Sequence, residues 1–203
     1  MRPQALAASS RTLSRRRLLL AAAAGGAALA GAGGFPRAAA AATDDELAYA
    51  NFGAASELLL KDYYARARAA KLYKGSLAGA FTRAGFAAGE HVVALSNLLV
   101  DSGQTAPLEA DFEFDWPAVT FRTRKAASTA GLTIVDALLG AYLTAAATSP
   151  TQSVRVLFSS LAASLGEQRS MLLLARGRTA IGNSFPVAVD LETASAAVER
   201  YLG

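Results

Sequence analysis

Four segments of this chain, at about residues 45–72, 76–100, 123–147 and 151–176, carry apolar residues at spacings of three and four, the period of one buried helix face. That pattern commits most of the chain to α-helix. Thr43 or Asp44, with acids following, is a suitable N-cap for the first segment; Gly75 separates the first from the second, and Ser149-Pro150 the third from the fourth. Connections this short make antiparallel neighbours. Between the second and third helices lies a longer stretch, residues 101–122, with two prolines and the alternating run Asp111-Phe112-Glu113-Phe114-Asp115-Trp116. Alternation predicts extended chain there, and three aromatics predict that it packs. One long connection among short ones is what a four-helix bundle needs when its middle helices run parallel. A short amphipathic helix at about residues 192–202, with Ala194, Val198, Tyr201 and Leu202 on one side, is expected to cap one end. The expected fold is all-α: a four-helix bundle with a long crossover between helices 2 and 3 and a short C-terminal helix.

Ahead of the helices, Ser14-Arg15-Arg16-Arg17-Leu18-Leu19-Leu20 runs into an Ala/Gly-rich apolar stretch that ends at Ala40-Ala41-Ala42. A basic front, an apolar middle and a small-residue cleavage site make an export leader, and the paired arginines resemble the twin-arginine translocation signal. The expected division is a signal peptide at 1–42 and one domain at 43–203, with the twin-arginine translocase as partner during export. That route carries folded proteins, so core packing and any cofactor loading precede export. The apolar run at 18–35 lacks the bulky residues of a durable anchor, so cleavage near Ala42 and no stable membrane span afterwards are expected. The product would be periplasmic or extracellular.

The leader also explains the charge. The chain has 20 basic and 16 acidic residues; six of the arginines and none of the acids lie in 1–42, which leaves a domain with fourteen basic residues and a net charge of −2. The high isoelectric point therefore belongs to the leader, and a nucleic-acid partner is not indicated. Without cysteine, neither a disulfide framework nor a thiolate metal site is possible.

Polar side chains on inward stripes are the candidate functional residues, because a bundle core should be apolar. His91, the sole histidine, falls on the stripe Leu77, Phe81, Ala84, Ala88, His91, Leu95, Leu98. Glu57 shares a face with Ala50, Ala54 and Tyr64, although Lys61 four residues on offers a surface ion pair instead. Glu167 follows Leu161 and Ser164 and precedes Met171 and Leu174; Asp136 lies among Leu132, Thr133, Gly140 and Leu143, where either an inward or a flanking position fits. If Glu57, His91 and Glu167 meet, their charge must be neutralised by a divalent cation, by a protonated His91, or by a proton kept on a carboxyl group.

Asn51-Phe52, Glu57 and Asp62-Tyr63-Tyr64 on the first helix, His91-Val92-Val93-Ala94-Leu95 on the second, Gly140-Ala141-Tyr142-Leu143-Thr144-Ala145-Ala146 on the third, and the segment around Glu167 with Phe185-Pro186 beyond it resemble the bacterial ferritin-like domain family, the branch that includes plant desiccation-related proteins. The resemblance covers nearly all of residues 43–203 and implies a ferritin-like bundle. Ferritin-like dimetal centres take a Glu from each of two helices and a Glu-x-x-His from each of the other two. Here Ala88 stands where the first motif has its Glu, Ser170 where the second has its His, and the third-helix Glu position falls on Val135, with Asp136 one residue out of register. The resemblance thus implies a degenerate dimetal site. Its metal candidates are Glu57, His91, Glu167 and Asp136, enough at most for one divalent ion such as Fe, Mn or Zn. The function expected from it is a non-catalytic binding or structural module with no bound metal. The alternative is a metal-dependent (Fe or Mn) oxidoreductase or metal-binding protein using a reduced ligand set. A third reading places an apolar ligand between the helices, with Tyr142 or Tyr64 supplying a hydrogen bond.

Overall fold

The computed structural model describes residues 41–181 and 186–202. The segment expected to be an export leader, apart from Ala41 and Ala42, and Phe185 of the final connection lie outside the described residues. Four long helices, α1 (Asp44–Ala69), α2 (Gly75–Asp101), α3 (Arg124–Thr148) and α4 (Gln152–Ala175), are followed by a short one, α5 (Leu191–Val198), and the described residues contain no strand. The protein is all-α. Each boundary has a local cause. Thr43 caps α1 in a capping box with Glu46, Thr123 caps α3 by accepting from Ala126 N, and Asp190 caps α5 by accepting from Thr193 N. Lys71 in the left-handed region (φ 53°) stops α1, and Gly75 (φ 58°) starts α2.

One apolar core draws on all four long helices, with Leu59, Tyr63, Phe81, Leu95, Leu138, Tyr142, Phe158 and Leu165 wholly buried. Helix α3 is apolar and long enough to cross a membrane, but two thirds of that apolar window is buried within the protein. Burial of aromatic rings is large, so the tyrosines need partners for their hydroxyls. Tyr63 donates to the Ala127 carbonyl at 3.0 Å, Tyr64 to Gln168 Oε1 at 2.9 Å, and Tyr73 shares a 3.0 Å hydrogen bond with Ser128. Tyr73 also stacks on Phe81, with ring centroids 3.8 Å apart.

The connection 102–123 packs, as its aromatics predict. Phe112 and Phe114 stack, Phe114 forms a single antiparallel bridge with Leu202, and Trp116 lies between Tyr63 and Tyr201. The Trp116 indole donates to Asp62 Oδ2 at 2.7 Å, and Lys61 pairs with Glu109 at 2.6 Å, which ties the connection to the later turns of α1.

The C-terminal segment corrects one expectation: α5 lies along α3 rather than across an end. Val189 N donates to the Gly140 carbonyl at 3.1 Å, while Tyr201 lines a groove with Ala126 and Ala130, about three to four turns earlier on α3. Gly140 allows this, since a Cβ there would meet the Val189 side chain at 2.6 Å.

Candidate functional site

Inside the core, five polar side chains from all four long helices form two hydrogen-bonded groups, Glu57 with His91 and Tyr142, and Tyr64 with Gln168, near enough that the Glu57 charge acts on the Tyr64 phenol. Helix α1 supplies Glu57 and Tyr64, two turns apart on one face; α2 supplies His91, α3 Tyr142 and α4 Gln168. The Glu57 carboxylate has no exposure to solvent. Its Oε1 accepts from His91 Nδ1 at 3.0 Å and from the Tyr142 hydroxyl at 3.3 Å. The Tyr142 hydroxyl reaches it across Gly53, where a Cβ would sit 2.7 Å from the Tyr142 oxygen.

Both donors converge on one oxygen. Glu57 Oε2, Gln168 Nε2 and Ser56 Oγ are buried with no hydrogen-bond partner among the described residues. A buried polar atom left in that state costs roughly 1–3 kcal/mol, so a water or other small ligand donating to Oε2 would be stabilising there.

The electrostatics follow from burial and from this pairing. Burial pushes the Glu57 carboxyl above its ordinary value of 4.5, against the hydrogen bond and charge of His91 and the Tyr142 hydroxyl, which favour ionisation. For His91, burial acts to lower the imidazole, but its bond to Glu57, the Glu57 charge and the nearby Glu90 outweigh it and leave the group above 6.5. Burial, with the Glu57 charge adding, also drives the Tyr64 and Tyr142 phenols well up, so both remain neutral donors. The Glu57–His91 pair therefore retains protons that either group alone in water would release.

No family model matches this chain, and no curated protein or solved structure matches it either.

Of the four residues singled out in the sequence, Glu57 and His91 meet. Glu167 and Asp136 do not join them. Glu167 is exposed on α4, because the inward stripe there is Leu161, Leu165, Gln168, Leu172, Ala175, displaced from the one read in the sequence. Asp136 is exposed on α3 and pairs with Arg169 at 2.7 Å. The surface ion pair between Glu57 and Lys61 is also overturned, since Lys61 turns outward to Glu109. Gln168 went unnoticed in the sequence, although it lies three residues after Leu165 and four before Leu172, both buried.

A dimetal centre fits this donor set poorly. Two of the six or so usual donors are present, the His91 Nδ1 is spent on Glu57, and no group of three or more His, Cys, Asp or Glu is assembled among the described residues. Ala88 is buried in the core where a third carboxylate would be needed. The phenols of Tyr64 and Tyr142, which an apolar ligand would use, already donate within the chain.

A second buried glutamate, Glu46, escaped notice in the sequence except as one of the acids after the cap. Its carboxylate accepts from Thr43 N at 2.7 Å, from Thr151 N and Thr151 Oγ1 at 3.0 Å each, and from Ser149 Oγ. Burial acts to raise this carboxyl, but those hydrogen bonds prevail and hold it below 4.5. The Thr43-x-x-Glu46 spacing was the available signal.

Proposed function

We propose that the chain is an exported ferritin-like domain protein whose dimetal site has degenerated into a proton-sharing polar cluster, and that it acts outside the cytoplasmic membrane as a non-catalytic binding or structural module. The observation that carries this reading is the 3.0 Å contact of His91 Nδ1 with the buried Glu57. In a low-dielectric core a lone carboxylate must be neutralised, and here a shared proton does what a cation does elsewhere. Two contacts support the crossover topology: Tyr63, late in α1, meets Ala127, early in α3, and Glu46, at the start of α1, meets Ser149 just after α3. With α1 and α2 joined through residues 70–74, these contacts support a bundle in which α2 and α3 run the same way. Export by the twin-arginine route, with release as a periplasmic or extracellular protein, rests on the arginine-led segment at 14–20 and the Ala/Gly run behind it.

Protein purified without added metal should carry well under one metal atom per chain by elemental analysis, and its melting temperature should not change on chelation. Metal near one atom per chain, or a melting point that falls with chelator, would overturn the proposal.

The second reading, an Fe- or Mn-dependent oxidoreductase or a simple metal-binding protein, draws on the unpartnered Glu57 Oε2. It requires that His91→Ala lower metal content. Unchanged metal content in that variant excludes it.

A further inference from the structure

Helix α2 presents a second, outward stripe that nothing among the described residues covers. Phe86, Val93 and Val100 are 69%, 59% and 60% exposed, although each is a large apolar side chain. They recur every seven residues, a period that drifts by only about 20° per repeat and so keeps all three on one narrow face. Glu90 and Asn97 are exposed between them, and Arg83 and Asp101 are exposed at the two ends. Gly89 lies beside this line, and a Cβ added there would meet nothing within 4 Å, which leaves room for another backbone to approach.

We infer that this face docks a second copy of the chain, α2 against α2 in antiparallel orientation about a two-fold axis near Val93. The stripe is self-complementary in that orientation. Phe86 falls opposite the partner's Val100, Val93 opposite the partner's Val93, Glu90 opposite the partner's Asn97, and Arg83 opposite the partner's Asp101. A two-fold contact makes each of the unlike pairs twice and the Val93 pair once, on the axis. The parallel arrangement would set Arg83 against the partner's Arg83 and Glu90 against the partner's Glu90, which like-charge repulsion disfavours.

Arg83 and Asp101 make no ion pair among the described residues, as is true of several other surface charges, so both are available to a partner. The inference goes beyond the proposed function and holds whatever occupies the core cluster.

Sedimentation velocity of the full-length protein tests it. A reversible monomer–dimer equilibrium is expected, on the order of micromolar because one helix face is smaller than a standard interface. Val93→Arg should weaken the dimer at least about tenfold. Arg83→Asp alone should also weaken it, and Arg83→Asp combined with Asp101→Arg should restore it, a rescue that association through the leader could not give. Circular dichroism of each variant should match the parent, since every substituted residue is exposed. Protein that stays monomeric, a dimer indifferent to Val93→Arg, or failure of the double reversal to rescue would each overturn the inference.

Discussion

Glu46 and Glu57 are buried carboxylates about three turns apart on the same helix, and their surroundings drive them to opposite chemistry. Glu46 has four donors spread over both oxygens, three of them from the residues that turn α3 into α4, and its carboxyl is held below the ordinary range. Glu57 has two donors, both on one oxygen, and its carboxyl is raised. Both carboxyls are desolvated, Glu57 the more deeply, so depth of burial together with the number and placement of donors sets the direction in which each is shifted. The satisfied carboxylate ties helices together, while the half-satisfied one keeps an acceptor available and its proton exchangeable.

The largest test of this contrast is Glu46→Ala. It leaves the Thr43 and Thr151 amides and two hydroxyls facing a buried gap, and should cost about 3 kcal/mol of stability by urea denaturation. A loss below about 1 kcal/mol would mean that water replaces the carboxylate freely and that the clasp is not structural.

Next comes Glu57→Gln, an isostere that keeps the shape and removes the buried charge, with an expected change within about 1 kcal/mol. Its sharper signature is pH dependence. Glu57 and His91 both have raised values when folded, so their contribution is complete below the unfolded values of 4.5 and 6.5 and is lost as pH rises through the higher folded ones. Glu46, with a lowered value, contributes above 4.5 and loses that contribution as pH falls through its folded value. Stability of the parent should therefore peak near pH 4.5 and decline towards pH 8, with the His91 loss adding above 6.5, and Glu57→Gln should flatten that decline. A parent profile that rises from pH 6 to 8 would reverse the assignment.

The smallest effects set the baseline. Glu167→Ala and Asp136→Ala remove exposed carboxylates, and each should change stability by less than about 0.5 kcal/mol. A larger loss at Glu167 would bring that residue back into the cluster.

The helices were legible because their periodicity is long and their stops are chemical: the cap at Thr43, the glycine at Gly75, and Ser149-Pro150. Glu57 and His91 were legible because bulky neighbours on either side fix which face is buried. Glu167 was misplaced for the opposite reason. In 161–175, leucines stand on adjacent positions and small residues fill the gaps, so two stripes rotated by about 100° look alike, and packing alone chooses the one that carries Gln168. Asp136 was undecided in sequence because α3 is apolar on nearly every side, and its surface is defined only by where Arg169 arrives. Glu46 shows a further limit. A capping box describes contacts within one helix and gives no hint that a turn more than one hundred positions later shares the same carboxylate.

That separation has a kinetic consequence. Glu46 and Thr151 are 105 positions apart, so a long loop must close before their hydrogen bonds form, whereas α1 can pair with α2, and α3 with α4, through short turns. The two hairpins are thus free to assemble first and dock afterwards. In such an order the Glu46 clasp reports the docking event, and weakening it would hasten unfolding while leaving the rate of refolding nearly unaltered.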